Sequence, residues 1–263
     1  MSETSTLIGY QGRTISREEL ALVPTPLATE THLPVPHHEV INALVETLGF
    51  RHIGVVHDEY AVSPDGMKMF GALDLATEMH GCRFSIGVRN SHDKSMRLAM
   101  TVGYKVFVCS NMAFSGDFTP VLAKHSKSLN LVDSISVGVD RMQRNFGPMQ
   151  KQVESWRETE LSTVAAKMIV YEAFIESELE VPKHLARRVH DFYFNPQYEE
   201  FKARTLWSLS NAFTSAFKEL EPIPQFKATA KLSGFLEQGT RASSEALDHS
   251  GAFPNGGVRR CSI

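Results

Sequence analysis

Two stretches in the middle of this chain alternate apolar and polar residues with period two, and they restrict its fold more than any other feature. Phe84, Ile86 and Val88 alternate with Arg83, Ser85, Gly87 and Arg89. Leu98, Met100, Val102, Tyr104, Val106 and Val108 alternate with Ala99, Thr101, Gly103, Lys105, Phe107 and Cys109. Such a period sends successive side chains to opposite faces, so these are antiparallel strands with one buried side. The polar run 90–96 between them is long enough for an irregular hairpin connection. Upstream, residues 50–56, 59–62 and 67–75 are further strand candidates, with Ser63-Pro64-Asp65-Gly66 as an explicit turn.

Around this meander the period is helical. Val40, Ile41, Leu44, Val45 and Leu48 share one face of a helix that starts after Pro36, and Gly49 offers its stop. From residue 118 onward the helical period returns. Leu131, Ile135, Val139, Met142 and Phe146 recur three or four apart, and Gly147-Pro148 is the expected end of that helix. Three more helices are expected over 153–180, 182–194 and 198–220, the last with Phe201, Leu206, Leu209, Phe213 and Phe217 as anchors. The fold class is therefore α+β: an N-terminal helix, an antiparallel sheet of four to five strands, then about four helices. Residues 1–36, with Pro24, Pro26, Pro34 and Pro36, are expected as an extended arm, and 37–220 as the core. Residues 221–263 are expected as a loosely packed tail with one short helix around 242–248.

Composition excludes more than it selects. At 263 residues, 42% hydrophobic and 22% charged, the chain can bury a full core. No apolar run approaches the roughly 20 residues that span a bilayer, so no membrane association is expected. The N-terminus lacks a basic stretch followed by an apolar one, which points to a cytoplasmic protein. Cys82, Cys109 and Cys261 are too few and too scattered for a disulfide framework or a zinc site, and no histidine spacing matches a metal centre. Phosphate-loop, dinucleotide, zincin and nucleophile-elbow motifs are all missing, so no cofactor is expected.

Charge carries the clearest physical signal. The net charge of −3 argues against a uniformly basic nucleic-acid binder, yet residues 83–127 hold seven Lys/Arg against two Asp/Glu. Residues 154–180 hold seven Glu against two Lys/Arg. Arg83, Arg89, Arg97 and Lys105 lie opposite the apolar strand face or at strand ends, and Lys94 sits in the turn. Together they form a candidate phosphate-tracking face, because such contacts are electrostatic and need no base code. The bland alternative is that the acidic helix neutralises it. His92 and Asp93 in the turn, with Cys109 and Asn111 at the far strand end, are candidate catalytic residues, with His125 as a second possible base. Hydrogen-bonded turn chemistry and a small buried thiol explain the same residues without catalysis. Trp207 and Asn211, four apart, share a helical face and suggest a buried amide.

Three segments carry a resemblance: SHDKS at 91–95, VFVCSN at 106–111 and LWSLSNAF at 206–213. Over roughly residues 35–220 the chain resembles the phage/plasmid-like family catalogued as domain of unknown function 932. Its members typically show a Ser-His-Asp-Gly-Ser turn, a strand ending in Val-Cys-x-Asn, and a late Trp followed by Asn-Ala. Lys94 stands where the family usually has Gly, and Met112 where a small or polar residue is common. The resemblance implies a mobile-element context and no established activity. The order of helix, antiparallel strands and long helix is also similar, more weakly, to Rad52-type single-strand annealing proteins, oligomers whose basic grooves hold single strands.

Three functions remain open at this level. First comes a single-stranded nucleic-acid-binding or annealing module, working as a homo-oligomer, in which Tyr104 or Phe107 stacks on bases. A protein-interaction or anti-defence factor, recognised through the acidic helix, comes second. An enzyme built on His92, Asp93, Cys109 and Asn111 comes last.

Overall fold

The computed structural model describes residues 13–109, 111–114, 121–176 and 179–250. Its centre is the meander. Strands β2 (Val55–Val62), β3 (Lys68–Met79), β4 (Cys82–Ser91) and β5 (Leu98–Val106) pair antiparallel in sequence order. Short strands complete a seven-stranded sheet: β1 (Arg13–Ile15) pairs with β2, while β6 (Met112–Phe114) and β7 (Val121–Ala123) both pair with β5. The sheet thus exceeds the four to five strands expected. The three extra strands have three residues each, too short for a period to register. The β3–β4 connection is a tight hairpin at His80-Gly81, both with positive φ.

Apolar alternation decides which face the helices cover. Phe84 of β4 stacks on Phe146 of α3 (Leu131–Glu158), with ring centroids 4.1 Å apart. Tyr104 of β5 meets Trp207 of α6 (Leu206–Phe217). A Cβ at Gly71 would lie 2.9 Å from Tyr60 and 3.7 Å from Ile41 of α2 (His37–Phe50). Helix α6 is buried almost all round, and its polar residues bond inward: the Asn211 amide donates to the Trp207 carbonyl at 3.0 Å, and Thr214 to Ser210. The remaining described helices are the one-turn α1 (Arg17–Leu20), α4 (Thr163–Phe174), α5 (Leu185–Phe194) and α7 (Pro222–Ser250).

Several boundaries differ from expectation for physical reasons. Gly49 does not stop α2. The helix runs on to Phe50, and His52 takes the left-handed position at φ 56, with Ile53 N–H bonding Leu48 and His52 N–H bonding Gly49 in a Schellman arrangement. Gly147-Pro148 does not stop α3 either. The glycine has no Cβ to collide with the following proline ring, so the helix crosses with one backbone bond lost. Its apolar stripe continues through Met149, Val153 and Trp156. The single helix expected over 153–180 is therefore the end of α3, a break at 159–162, and α4. Residues 121–123 form a strand where helical period was expected. Ile15 and Leu20, in the expected N-terminal arm, are core residues. In the expected loose tail, Ala228, Leu232 and Leu236 of α7 are buried. Residues 251–263, including Cys261, lie outside the described residues.

Two glycines test this packing in opposite directions. Gly71→Ala drives a methyl into the Tyr60 ring and is expected to cost about 1–3 kcal/mol. Gly49→Ala, with nothing within 4 Å of its new Cβ, should stabilise by about 0.5–1 kcal/mol. Denaturant unfolding of both variants checks the pair of signs.

Candidate functional site

The polar residues of the β4–β5 connection sit over a buried network of imidazoles. Asn90, the penultimate residue of β4, is fully buried on the helix-covered side. Its amide nitrogen donates to the Val35 carbonyl and to His37 Nδ1, both at 2.8 Å. Its oxygen accepts from His125 Nε2 at 2.6 Å. His37 donates from Nε2 to the Gly66 carbonyl at 3.0 Å, so it is a neutral ring with a defined tautomer. His92 stacks flat on His37, with centroids 3.8 Å apart, and donates from Nε2 to the Val35 carbonyl at 3.0 Å. His92 Nδ1 is buried without a partner among the described residues. His32 bridges the ends of two segments, with Nδ1 3.1 Å from the His125 carbonyl and Nε2 3.0 Å from the His92 carbonyl.

Burial is the main reason His37, His92 and His125 stay neutral. It pushes His37 down to about 4, with neighbouring His92 adding to the effect. It pushes His125 down to about 4, with His32 next in weight. Burial also lowers His92. No group of three or more His, Cys, Asp or Glu among the described residues is arranged to hold a metal ion.

The catalytic candidates are not brought together. His92 lies before β5 and Cys109 after it, so nine residues of strand, about 30 Å, separate them. Burial raises the Cys109 thiol to about 11, far from a reactive thiolate. Asp93 accepts from the backbone N–H of Ser95 at 3.0 Å and from its hydroxyl, and Ser91 and Met96 close the same turn. Asn111 is buried against α6, where its amide donates to the Asn211 carbonyl at 3.1 Å and to Ser215 Oγ at 2.9 Å. The strand motif and the late helical motif therefore meet each other. Ser110 lies outside the described residues.

The basic face is only partly available. Lys105 is buried, its ammonium 2.7 Å from Asp74, which also accepts from Ser85 at 2.6 Å. Arg83 is held by Glu78 at 3.0 Å and lies over the Phe107 ring. These two positions are thus consumed internally, and the neutralising carboxylates come from β3 rather than from the acidic stretch 154–180. Tyr104 is buried against Trp207 and has no face to offer a base, whereas Phe107 is exposed beneath Arg83.

Other cations gather at one end of the sheet. Arg89 is half-buried, pairs in register with Ala99, and has no carboxylate partner among the described residues. Lys68 pairs in register with Ser91. Continuing the β4–β5 register two residues beyond Arg89↔Ala99, and the β5–β7 register one residue beyond Leu98↔Ala123, places Ser91, Arg97 and Lys124 side by side. Lys68, Arg97 and Lys124 thus form a row across the sheet, with strands about 4.8 Å apart. Lys94, in the β4–β5 connection, and Lys127, three residues after Lys124, are exposed, and Arg97, Lys124, Lys94 and Lys127 have no ion pair among the described residues. Asp93, 3.7 Å from Lys68, is a carboxylate set against the row. Lys94 itself sits at φ 63, so the left-handed turn is made without the Gly that the resemblance led us to expect. Sequence reasoning missed Lys124 and Lys68 as members of the row, since cross-strand register is invisible in a linear charge count.

A family model described as "Domain of unknown function (DUF932)" matches residues 29–247, and the chain belongs to that family. No curated protein and no solved structure matches it. No described helix is long and apolar enough to cross a membrane.

The network makes stability depend on pH with a definite sign. In the unfolded chain His37 and His125 return to about 6.5, so between about pH 6.5 and 4 unfolding takes up protons and stability falls as pH drops. Lowering pH from about 7 to about 5 should cut the melting temperature by roughly 5 °C. His125→Gln should show a shallower dependence, measured by calorimetry across pH.

Proposed function

We propose that this protein binds an anionic polymer, single-stranded nucleic acid, along the cation row at the β4–β5 end of the sheet. One observation carries the proposal: Arg97, Lys124, Lys94 and Lys127 are exposed and without ion pairs among the described residues, and the β5–β7 register extended by one residue sets Arg97 beside Lys124. Cations on neighbouring strands can each contact a phosphate, and such contacts release counterions without reading sequence. The row replaces the strand face headed by Arg83 and Lys105, whose charges are matched by Glu78 and Asp74. Arg89, two residues before Ser91 on the same strand face, is held instead over the Phe226 ring of α7. The function is binding or annealing, and no covalent step is needed.

A second reading, homo-oligomerisation through α4, has its own observation. Val164, Met168, Tyr171 and Ile175 form an exposed apolar stripe on that helix. Antiparallel pairing about a two-fold axis would set Val164 against Ile175 and Met168 against Tyr171 of a second copy.

Fluorescence anisotropy with a labelled single-stranded oligonucleotide across a salt series tests the first reading. Arg97→Ala and Lys124→Ala should each weaken binding several-fold and flatten the log–log salt slope by about 0.7. Lys94→Gly should raise stability by about 1 kcal/mol, by relieving the left-handed lysine, while weakening binding. Absence of binding at low salt sinks the proposal. For the second reading, sedimentation velocity should show a dimer that Met168→Glu converts to monomer; a wild-type monomer removes it.

A further inference from the structure

We infer that the cleft between β7 and the first turns of α3 is a subsite for one unstacked base of a bound single strand, an inference that rests on the nucleic-acid reading above. The cleft has a volume of about 330 Å³. That lies at the small end of the range for sites that enclose a small molecule. Its apolar lining comes from Val121, Leu122, Ala123 and Val137, and of these Leu122 and Val137 are 51% and 48% exposed, a large apolar surface to leave in water beside one cleft.

The polar lining matches the rest of a nucleotide. Arg141 lines the helix side and has no ion pair among the described residues. Lys124 follows Leu122 by two residues, and Arg97 is its register neighbour, so cations flank the cleft on the strand side as well. Ser134 spends its hydroxyl proton on the Asn130 carbonyl at 2.7 Å, which leaves its oxygen as an acceptor. Asp133, whose Oδ2 already accepts from the Asn130 amide at 2.5 Å, leaves its Oδ1 as a further acceptor at the same end. Apolar walls, cations on both sides and acceptors at one end suit a flat group with two apolar faces, a phosphate nearby and an amino edge. Adenine, cytosine and guanine carry such amino groups. Thymine presents no amino group, so the site should favour amino-bearing bases over thymine.

The contrast between a normal oligonucleotide and an abasic one of the same length and charge tests this directly. The abasic strand should bind about tenfold more weakly, since base contacts of this kind survive sequence changes but not removal of the base. Leu122→Ala combined with Val137→Ala should reduce the normal strand to the abasic affinity and leave abasic binding unchanged. Val137→Phe, which fills the cleft without removing apolar surface, should do the same, and a melting curve on each variant confirms the fold. An oligo(dC) strand should bind more tightly than oligo(dT), and Asp133→Asn should narrow that gap. Equal affinity for normal and abasic strands overturns the base subsite while the cation row stands. Failure of both strands to bind at low salt removes the row and the subsite together.

Discussion

One amide side chain ties the functional end of this protein together. Asn90 has two N–H groups and one carbonyl oxygen, and all three are used: on Val35, on His37 and on His125. Those partners come from the segment before α2, from the start of α2 and from the stretch after β7. A single buried side chain therefore joins three parts of the chain that are far apart in sequence: the entry to α2, the end of β4 and the stretch after β7. An unpaired buried amide costs on the order of 1–3 kcal/mol, so the arrangement is nearly all-or-none. His92, stacked on His37 and sharing the Val35 carbonyl, extends the same knot into the β4–β5 connection. His32, placed between the carbonyls of residues 92 and 125, extends it to the segment that carries Lys124 and Lys127. The rim that bears the cations is held from beneath by buried imidazoles.

The two faces of the sheet divide the work. On the face carrying Phe84 and Tyr104, aromatic contacts with α3 and α6 exclude water, and the polar exceptions, Asn90 and Asn111, are hydrogen-bonded. On the other face Asp74 and Lys105 are buried together. A buried pair of this kind adds little net stability, but losing one partner strands the other charge. Their pairing explains why the middle of a strand with a basic residue offers no cation to solvent. Charge that is not matched has been left where the strands end.

Much of this was legible in the residues and some was not. The period-two alternation of β4 and β5 identified the strands and their buried side, because each is long enough for the pattern to repeat. The same alternation could not show that Lys105 would face Asp74, since that depends on a register set by two other strands. Gly147-Pro148 is an ordinary helix stop, yet the stripe Ile135, Val139, Met142, Phe146, Met149, Val153 and Trp156 keeps a strict four-three spacing across it. A buried face of that length outweighs one missing backbone bond. The histidines were unreadable as a group. His32, His37, His92 and His125 share no spacing, and only the folded chain makes them neighbours. The turn at 91–95 and the strand end at Asn111 looked like places for chemistry, but their polar atoms are spent on holding the backbone and α6.

The placement of unmatched charge also bears on how a partner would approach. The chain is net −3, yet the row at the sheet end concentrates Lys68, Arg97 and Lys124, with Lys94 in the β4–β5 connection and Lys127 three residues after Lys124, against Asp93. The acidic residues of 154–180 belong to the end of α3, to α4 and to the segment after it. A molecule whose overall sign repels anions, but which carries a local cationic rim, orients a polyanion before contact and discourages it from binding elsewhere. At an ionic strength near physiological the Debye length is about 8 Å, so the rim acts over roughly two strand spacings and no further. Attraction of that range selects a thin, extended anion lying along the row more readily than a bulky one. On the nucleic-acid reading proposed above, the half-exposed Leu122 and Val137 would then meet what the phosphates carry.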